Sequence, residues 1–329
     1  MNSDIKIFAG SSGREFSERM CKYLGIPLGK TSVRTFSEGN TYVRVEEHVR
    51  DEDVYLVLPI GIDPNNEFVE LLFWLDAFKR SGARYVTAIV PYFSYAKGDK
   101  KDESRVSIRA RVCAECIELA GADRLITMDL HAAQIQGFFK IPVDHLYASP
   151  LLAKYIKSIM SENTIVVSPD AGFAKNARKF AAKLGVDFAI GDKTRISHDE
   201  NAEIMEIIGD VSGRDTVIID DFSISGGTIV ETARMLKKMG AKSVIACLSH
   251  VPLSSKGVDA IEKSDITMVI ATDSINNPRI KGSSKIKVIS VAPLFAEVVK
   301  RMHNRESIGD LIENIPEEVF NASVMSINL

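Results

Sequence analysis

Strands and helices alternate along most of this chain, which predicts an α/β protein with mainly parallel sheets flanked by helices. Two further observations extend that expectation. The segment KRSGARYVTAIV at 79–90 returns as KKMGAKSVIACL at 237–248, close to half of the 329 residues away. The run TVIIDDFSISGGTIVETARML at 216–236 places two acids and a glycine pair where a strand hands over to a helix. Together these predict two duplicated α/β domains, the second carrying a ligand-binding sheet edge.

The strands are read from short β-branched runs. They are VYLVLP at 54–59, RYVTAIVP at 84–91, RLITMDL at 124–130, TIVVSP at 164–169, TVIIDD at 216–221, SVIACLS at 243–249 and ITMVIAT at 266–272. Helical period shows in EFVELLFWLDAFKR, and in TIVETARMLKKM through Ile229, Ala233 and Leu236. Within the repeat, Lys79, Gly82, Ala83, Val86 and Ala88 match Lys237, Gly240, Ala241, Val244 and Ala246. Each copy ends a helix at a glycine, the residue that most readily takes the left-handed C-cap. A division just before Pro150 gives an N-terminal domain over 1–147 and a C-terminal domain over 148–329. The C-terminal helix is a candidate to pack back on the first domain.

Composition narrows the class. The chain is 45% hydrophobic and 26% charged, an ordinary globular balance. Its net charge of −3 argues against a general nucleic-acid binder. No run of about 18 apolar residues predicts a membrane span. The opening MNSDIKIFAG lacks the basic and apolar regions of a secretory signal, so the expected location is cytoplasmic. Of four cysteines, Cys113 and Cys116 form a C-x-x-C without a second pair. In RVCAECIELA they read as packing residues of a helix. The single Trp74 reads as core rather than interface.

The chemistry concentrates in 216–236. An apolar strand ends in Asp220 and Asp221, a Ser/Gly loop follows, and a helix opens near Thr228. Parallel sheets bind ligands at the carboxyl ends of their strands. Gly226 and Gly227 let backbone N–H groups approach a ligand, and with Ser225, Thr228 and the helix N-terminus they suit a phosphate. No lysine follows the glycines, so this is not a Walker A loop. Two acids beside that loop suit sugar hydroxyls or a sugar-bound metal. A second dense region is KGDKKDESRVSIRAR at 97–111, with six cations and three acids. It reads either as a solvated loop or as a flap that clamps polyphosphate.

The 216–236 run resembles the phosphoribosyl diphosphate (PRPP) loop of phosphoribosyltransferases and PRPP synthetases. YFSYAKGDKKDESR, MDLHAAQIQGFF, SPDAGFAKNARKFA, IGDKTR and ISVAPLFAEVVKRMHNRES then occur in the order seen in the ribose-phosphate pyrophosphokinase family. The resemblance runs from about residue 5 to 311. It implies two duplicated phosphoribosyltransferase-like domains, with the ATP side and the 97–111 flap in the first and the ribose 5-phosphate loop 220–228 in the second. It implies transfer of the β,γ-diphosphoryl group of Mg-ATP to the C1 hydroxyl of ribose 5-phosphate, giving PRPP and AMP.

The resemblance also implies roles. His131 and Asp170 match the family's metal-binding positions, with Mg²⁺ as the ion. Lys193 and Arg195, in GDKTR after the short strand DFAI, match its catalytic basic pair. Asp220 and Asp221 match the acids on the ribose hydroxyls, and Ser225, Gly226, Gly227 and Thr228 match the 5-phosphate cradle. Phe36, Glu38 and Asn40 stand in the ATP-binding run, where the family's Phe-Ser-Asp-Gly-Glu reads FSEGN. Lys97, Gly98 and Asp99 replace its Arg-Gln-Asp, which removes a planar cation and an amide. The flap's Arg-Glu-Pro-Ile becomes Arg105, Val106, Ser107 and Ile108.

These departures keep two alternatives open. One is a catalytically weak homologue serving as a regulatory or scaffold subunit. The other is a PRPP-consuming phosphoribosyltransferase, although no base-binding segment is found for it. The family also implies a homo-oligomer, a dimer or a hexamer. His48 and Asp310 stand where many members carry serines for activating phosphate, which predicts weak phosphate activation.

Overall fold

The structure, a computed structural model, describes residues 5–195 and 203–325; side chains at 193–195 and 203–205 lie outside the described set. The described chain forms two compact units. The first runs through Tyr147 and takes in Asp273–Asn276 and Ser290–Ser323. The second begins at Ala148, runs to Thr272 and includes Asn277–Ile289.

The first unit holds a five-stranded parallel sheet. Its strands are β1 (Ile5–Ala9), β4 (Asp53–Val57), β5 (Tyr85–Val90), β6 (Arg124–Met128) and β7 (Val143–Leu146), side by side in that order. Strands β2 (Thr31–Thr35) and β3 (Thr41–Val45) form a separate antiparallel hairpin. The sheet strands are buried almost without interruption, as helices on both faces require. Helices α2 (Pro64–Arg80) and α3 (Arg109–Leu119) share one core with Val54, Leu56, Val86, Ala88 and Leu125. Helix α1 (Arg14–Leu24) packs against α8 (Ala292–His303), so the late helix belongs to this unit. Trp74 is fully buried, stacks on Phe78 and donates its indole N–H to Glu70 Oε1 at 3.0 Å.

The second unit holds a seven-stranded sheet in the order β10-β9-β8-β11-β12-β13-β14. These are β8 (Thr164–Ser168), β9 (Asp187–Arg195), β10 (Glu203–Ile208), β11 (Asp215–Phe222), β12 (Ser243–His250), β13 (Met268–Thr272) and β14 (Ile286–Ile289). All neighbours run parallel except β9 and β10. Helices α6 (Gly227–Lys238) and α7 (Ser255–Glu262) bury Ile229, Ala233, Leu236, Val258 and Ile261 against Ile218, Val244 and Ala246. Helices α4 (Ser149–Ile159) and α5 (Ala174–Leu184) pack together, with α5 on β8 and β9. Helix α9 (Glu317–Val324), which belongs to the first unit as far as Ser323, comes last among the described elements.

The sequence repeat is a repeat of geometry. Gly82 and Gly240 both take positive φ, 80° and 88°. Each donates its N–H at 3.0 Å to the carbonyl three residues back, at Lys79 and Lys237. The next residues, Ala83 and Ala241, reach back to Phe78 and Leu236. Both glycine carbonyls accept at 2.9 Å from a residue preceding the neighbouring strand, Asp51 in one unit and Gly213 in the other. This is the double-bonded helix ending that satisfies otherwise orphaned carbonyls.

One local expectation is corrected. DFAI was expected to end before GDKTR, but β9 continues to Arg195 because β10 pairs with it antiparallel through Glu203↔Arg195 and Met205↔Lys193. The polar stretch holds strand conformation through that ladder.

Candidate functional site

In the second unit, β11 delivers Asp220 and Asp221 to the carboxyl edge of the sheet. The loop after it is shaped by its own hydroxyls. Gly226 N–H donates to Ser223 Oγ at 3.1 Å, and Gly227 N–H donates to Ser225 Oγ at 3.3 Å. Gly226 sits at φ 74°, immediately before α6, in a conformation that glycine adopts without steric cost. The N-cap residue Gly226 supplies no side-chain cap, so the first-turn N–H groups after Gly227 are available to an anion. Ser225 is exposed and Thr228 half-buried, and the Thr228 carbonyl accepts from Thr232 Oγ1 at 2.8 Å.

A second element fixes this loop. Ser254, before α7, donates its N–H to the Ile224 carbonyl at 2.9 Å, while its Oγ accepts from Gly257 N–H. A Cβ on Gly257 would lie 2.7 Å from the Ile224 carbonyl oxygen. Sequence reasoning did not single out Ser254 or Gly257. The only signal was a Ser-x-x-Gly helix opening, which says nothing of what lies against it.

Three carboxylates share the same edge. Asp221 N–H donates to Asp220 Oδ1 at 2.9 Å, and Phe222 N–H to Asp221 Oδ1 at 2.8 Å. Asp170 follows β8, the strand beside β11, and Phe173 N–H donates to its Oδ1 at 2.9 Å. Burial, the Asp221 carboxylate and then the Asp170 charge hold the Asp220 acid well above the ordinary carboxyl range, at about 8. Such crowding of acids favours a cation or a hydroxyl-rich ligand. Lys193 and Arg195 lie on β9, which flanks β8; their side chains fall outside the described set.

In the first unit, Phe36, Glu38 and Asn40 come together in the tight turn between β2 and β3. Phe36 N–H donates to the Asn40 carbonyl at 2.9 Å, and Gly39 turns at φ 90°. Asn40 Nδ2 donates to Glu38 Oε1 at 3.3 Å, so the two departures from the family run bond to each other. Its own backbone N–H, and after it that Asn40 bond, hold the Glu38 carboxyl below its usual range. The Phe36 ring stays half exposed, edge-on to Tyr42.

Lys97 and Asp99 lie in and after a 3₁₀ turn at Ser94–Gly98 that follows β5. Arg105 is exposed, with φ at 66°, an uncommon backbone for a side-chain-bearing residue. His131 follows β6 and is exposed. The residue before it, Leu130, donates its N–H to His145 Nε2 at 2.9 Å, and Asp129 N–H bonds the Leu146 carbonyl at 3.0 Å. His145 is thus the buried support of the His131 loop, and it too was missed, since VDHL reads simply as a strand.

Fold and loop define a two-domain α/β protein of the phosphoribosyltransferase-like class. Residues 5–121 match the N-terminal domain of ribose phosphate pyrophosphokinase, and residues 195–313 match the phosphoribosyl synthetase-associated domain. The chain is 46% identical to a ribose-phosphate pyrophosphokinase of Wolinella succinogenes, covering 93% of this chain and 98% of the relative. It is 44% identical to one from Clostridium perfringens, covering 95% and 99%. The crystal structure of phosphoribosylpyrophosphate synthetase from Mycobacterium smegmatis superposes with a TM-score of 0.87 at 35% identity, over 92% of this chain and all of that one. The chain belongs to the ribose-phosphate pyrophosphokinase family.

Proposed function

We propose that the chain is a ribose-phosphate diphosphokinase, moving the β,γ-diphosphoryl group of ATP to the C1 hydroxyl of ribose 5-phosphate with release of AMP. The observation that carries this reading is the match to synthetases over more than nine-tenths of the chain. No observation favours the regulatory subunit or the phosphoribosyltransferase.

The acceptor lies on the second unit. Ser225, Gly226, Gly227 and Thr228 take the 5-phosphate through backbone N–H groups and hydroxyls at the start of α6. Asp220 and Asp221 accept hydrogen bonds from the ribose hydroxyls and so orient C1. Lys193 and Arg195 stabilise the charge that grows on the transferred group. Phe36, Glu38, Asn40, Lys97 and Asp99 bind ATP, and Arg105 belongs to a flap that excludes water. The reaction is chiefly alignment and charge neutralisation.

His131, on the first unit, and Asp170, on the second, are the residues that would bind Mg²⁺. The fit is supported by the Asp170 charge acting on Asp220, a repulsion that a dication would relieve; among the described residues no three ligating side chains converge, so phosphate oxygens and water would complete the coordination. When bound, Mg²⁺ neutralises phosphate oxygens of ATP. A cytoplasmic homo-oligomer, dimer or hexamer, completes the reading; among the described residues no helix is long and apolar enough to cross a membrane.

Phosphorus NMR of the protein with Mg-ATP and ribose 5-phosphate tests which bond breaks. AMP and a C1-linked diphosphate are expected. ADP with a C1 monophosphate contradicts the proposal.

A further inference from the structure

Gly98 and Arg109 compete for one space. A Cβ on Gly98 would lie 2.6 Å from Arg109 Nε, 2.9 Å from Arg109 Cβ and 3.3 Å from its backbone nitrogen. Two of those atoms are at the root of the residue, where α3 begins, so swinging the guanidinium away does not clear the clash. The family run carries glutamine at this position, and this fold has no room for one. What stands beside the turn instead is the arginine.

Beyond its packing over Gly98, the exposed Arg109 side chain has no polar partner among the described residues, whereas Arg111 pairs with Glu115. A cation in the first turn of a helix is mildly unfavourable against the helix dipole.

We propose that Arg109 reads the nucleobase of the donor and extends the donor class from ATP to 6-oxopurine nucleoside triphosphates. This rests on the reading of Lys97–Asp99 as part of the nucleotide site. An amide offers one donor and one acceptor, which match the amino group and N7 of adenine. A guanidinium offers donors only, which match the carbonyl oxygen and N7 of a 6-oxopurine. Replacing glutamine by glycine and seating an arginine over it thus exchanges one hydrogen-bonding pattern for the other.

The test follows PRPP formation from ATP, GTP and ITP, each with ribose 5-phosphate, for the native protein and for Arg109→Ala. The native protein is expected to use all three. In Arg109→Ala the GTP:ATP and ITP:ATP ratios of kcat/KM fall by about tenfold or more, together, because both 6-oxopurines present the same edge. Equal losses on all three nucleotides would mean a phosphate contact or simple packing, and would overturn the inference. So would a native protein that makes PRPP from ATP but not from GTP or ITP. Those two outcomes leave the proposed function standing; PRPP from none of the three brings down both. Circular dichroism of Arg109→Ala, expected to be native-like for an exposed side chain, separates these outcomes from misfolding.

Discussion

Arg19 Nη1 lies 2.8 Å from Asp273 Oδ2, an ion pair that joins helix α1 to a segment 254 residues later. Asp273 is almost fully buried and also accepts from Ser290 Oγ at 2.5 Å and Val291 N–H at 2.8 Å. It ties Asp273–Asn276 and Ser290–Ser323 into the first unit. Removing Arg19 leaves a buried carboxylate with only its two neutral donors. We expect Arg19→Ala to lower stability by about 1–3 kcal/mol, less than a fully buried pair because Arg19 is partly exposed. Burial already holds the Asp273 carboxyl above its ordinary range, and Arg19 works against that. Without Arg19 the shift grows, the native state binds a proton that the unfolded state has lost, and stability falls as pH rises through that window. Thermal unfolding at about pH 4 and about pH 8 should therefore show a larger Arg19→Ala deficit at the higher pH. An equal deficit at both contradicts this account of the pair.

Gly257 governs the phosphate loop from outside it. Its missing side chain lets α7 lie against Ile224, and an added Cβ would meet the Ile224 carbonyl oxygen at 2.7 Å. Backbone must shift to relieve that contact. Gly257→Ala is expected to raise KM for ribose 5-phosphate by about tenfold while KM for ATP changes little, a split that general unfolding does not produce. Gly226→Ala adds the strain of a φ of 74° and should weaken ribose 5-phosphate binding further. Initial-rate kinetics with each substrate varied in turn check both.

The thiols should behave as packing residues. Burial pushes Cys113 up to about 12 and Cys21 up to about 11. Cys116 is half-buried, and none of the four cysteines is in a disulfide. A thiol reagent at about pH 8 is expected to label Cys116 first and the others only on unfolding. Rapid labelling of Cys113, located by peptide mapping, contradicts this.

Inorganic phosphate is expected to stimulate the reaction weakly or not at all. Asp310 accepts from Arg301 Nη1 at 2.5 Å, so its carboxylate claims a guanidinium and adds negative charge beside it. Initial rates with and without added phosphate, at constant ionic strength and magnesium, check this. A large rise with phosphate contradicts it.

Much of this architecture is legible in the sequence because a parallel sheet buried on both faces writes itself as apolar runs. The strands containing Val54–Val57, Val86–Val90 and Val244–Leu248 could be read for that reason. The Gly82/Gly240 pair was legible too, since a helix ending at positive φ selects glycine. The edge strand β10 and the extension of β9 beside it were not. Lys193 and Arg195 extend β9 through pairing with β10, and a ladder partner leaves no hydrophobic pattern. The phosphate loop was legible because its chemistry requires its own residues. Its supports, Ser254, Gly257 and the His145 beneath the His131 loop, were not, because their role is contact across the fold. The exclusion of a side chain at Gly98 by Arg109 is of the same kind. The sequence showed only that glutamine was missing, and the reason lies in how α3 starts.

The most direct test of the central claim is release of AMP from Mg-ATP by the purified chain, with and without ribose 5-phosphate. The account predicts AMP only when the sugar phosphate is present, equal in amount to the PRPP formed, and lost in Lys193→Ala with the fold intact by circular dichroism. ADP as the nucleotide product, or AMP release indifferent to the sugar phosphate, would contradict it.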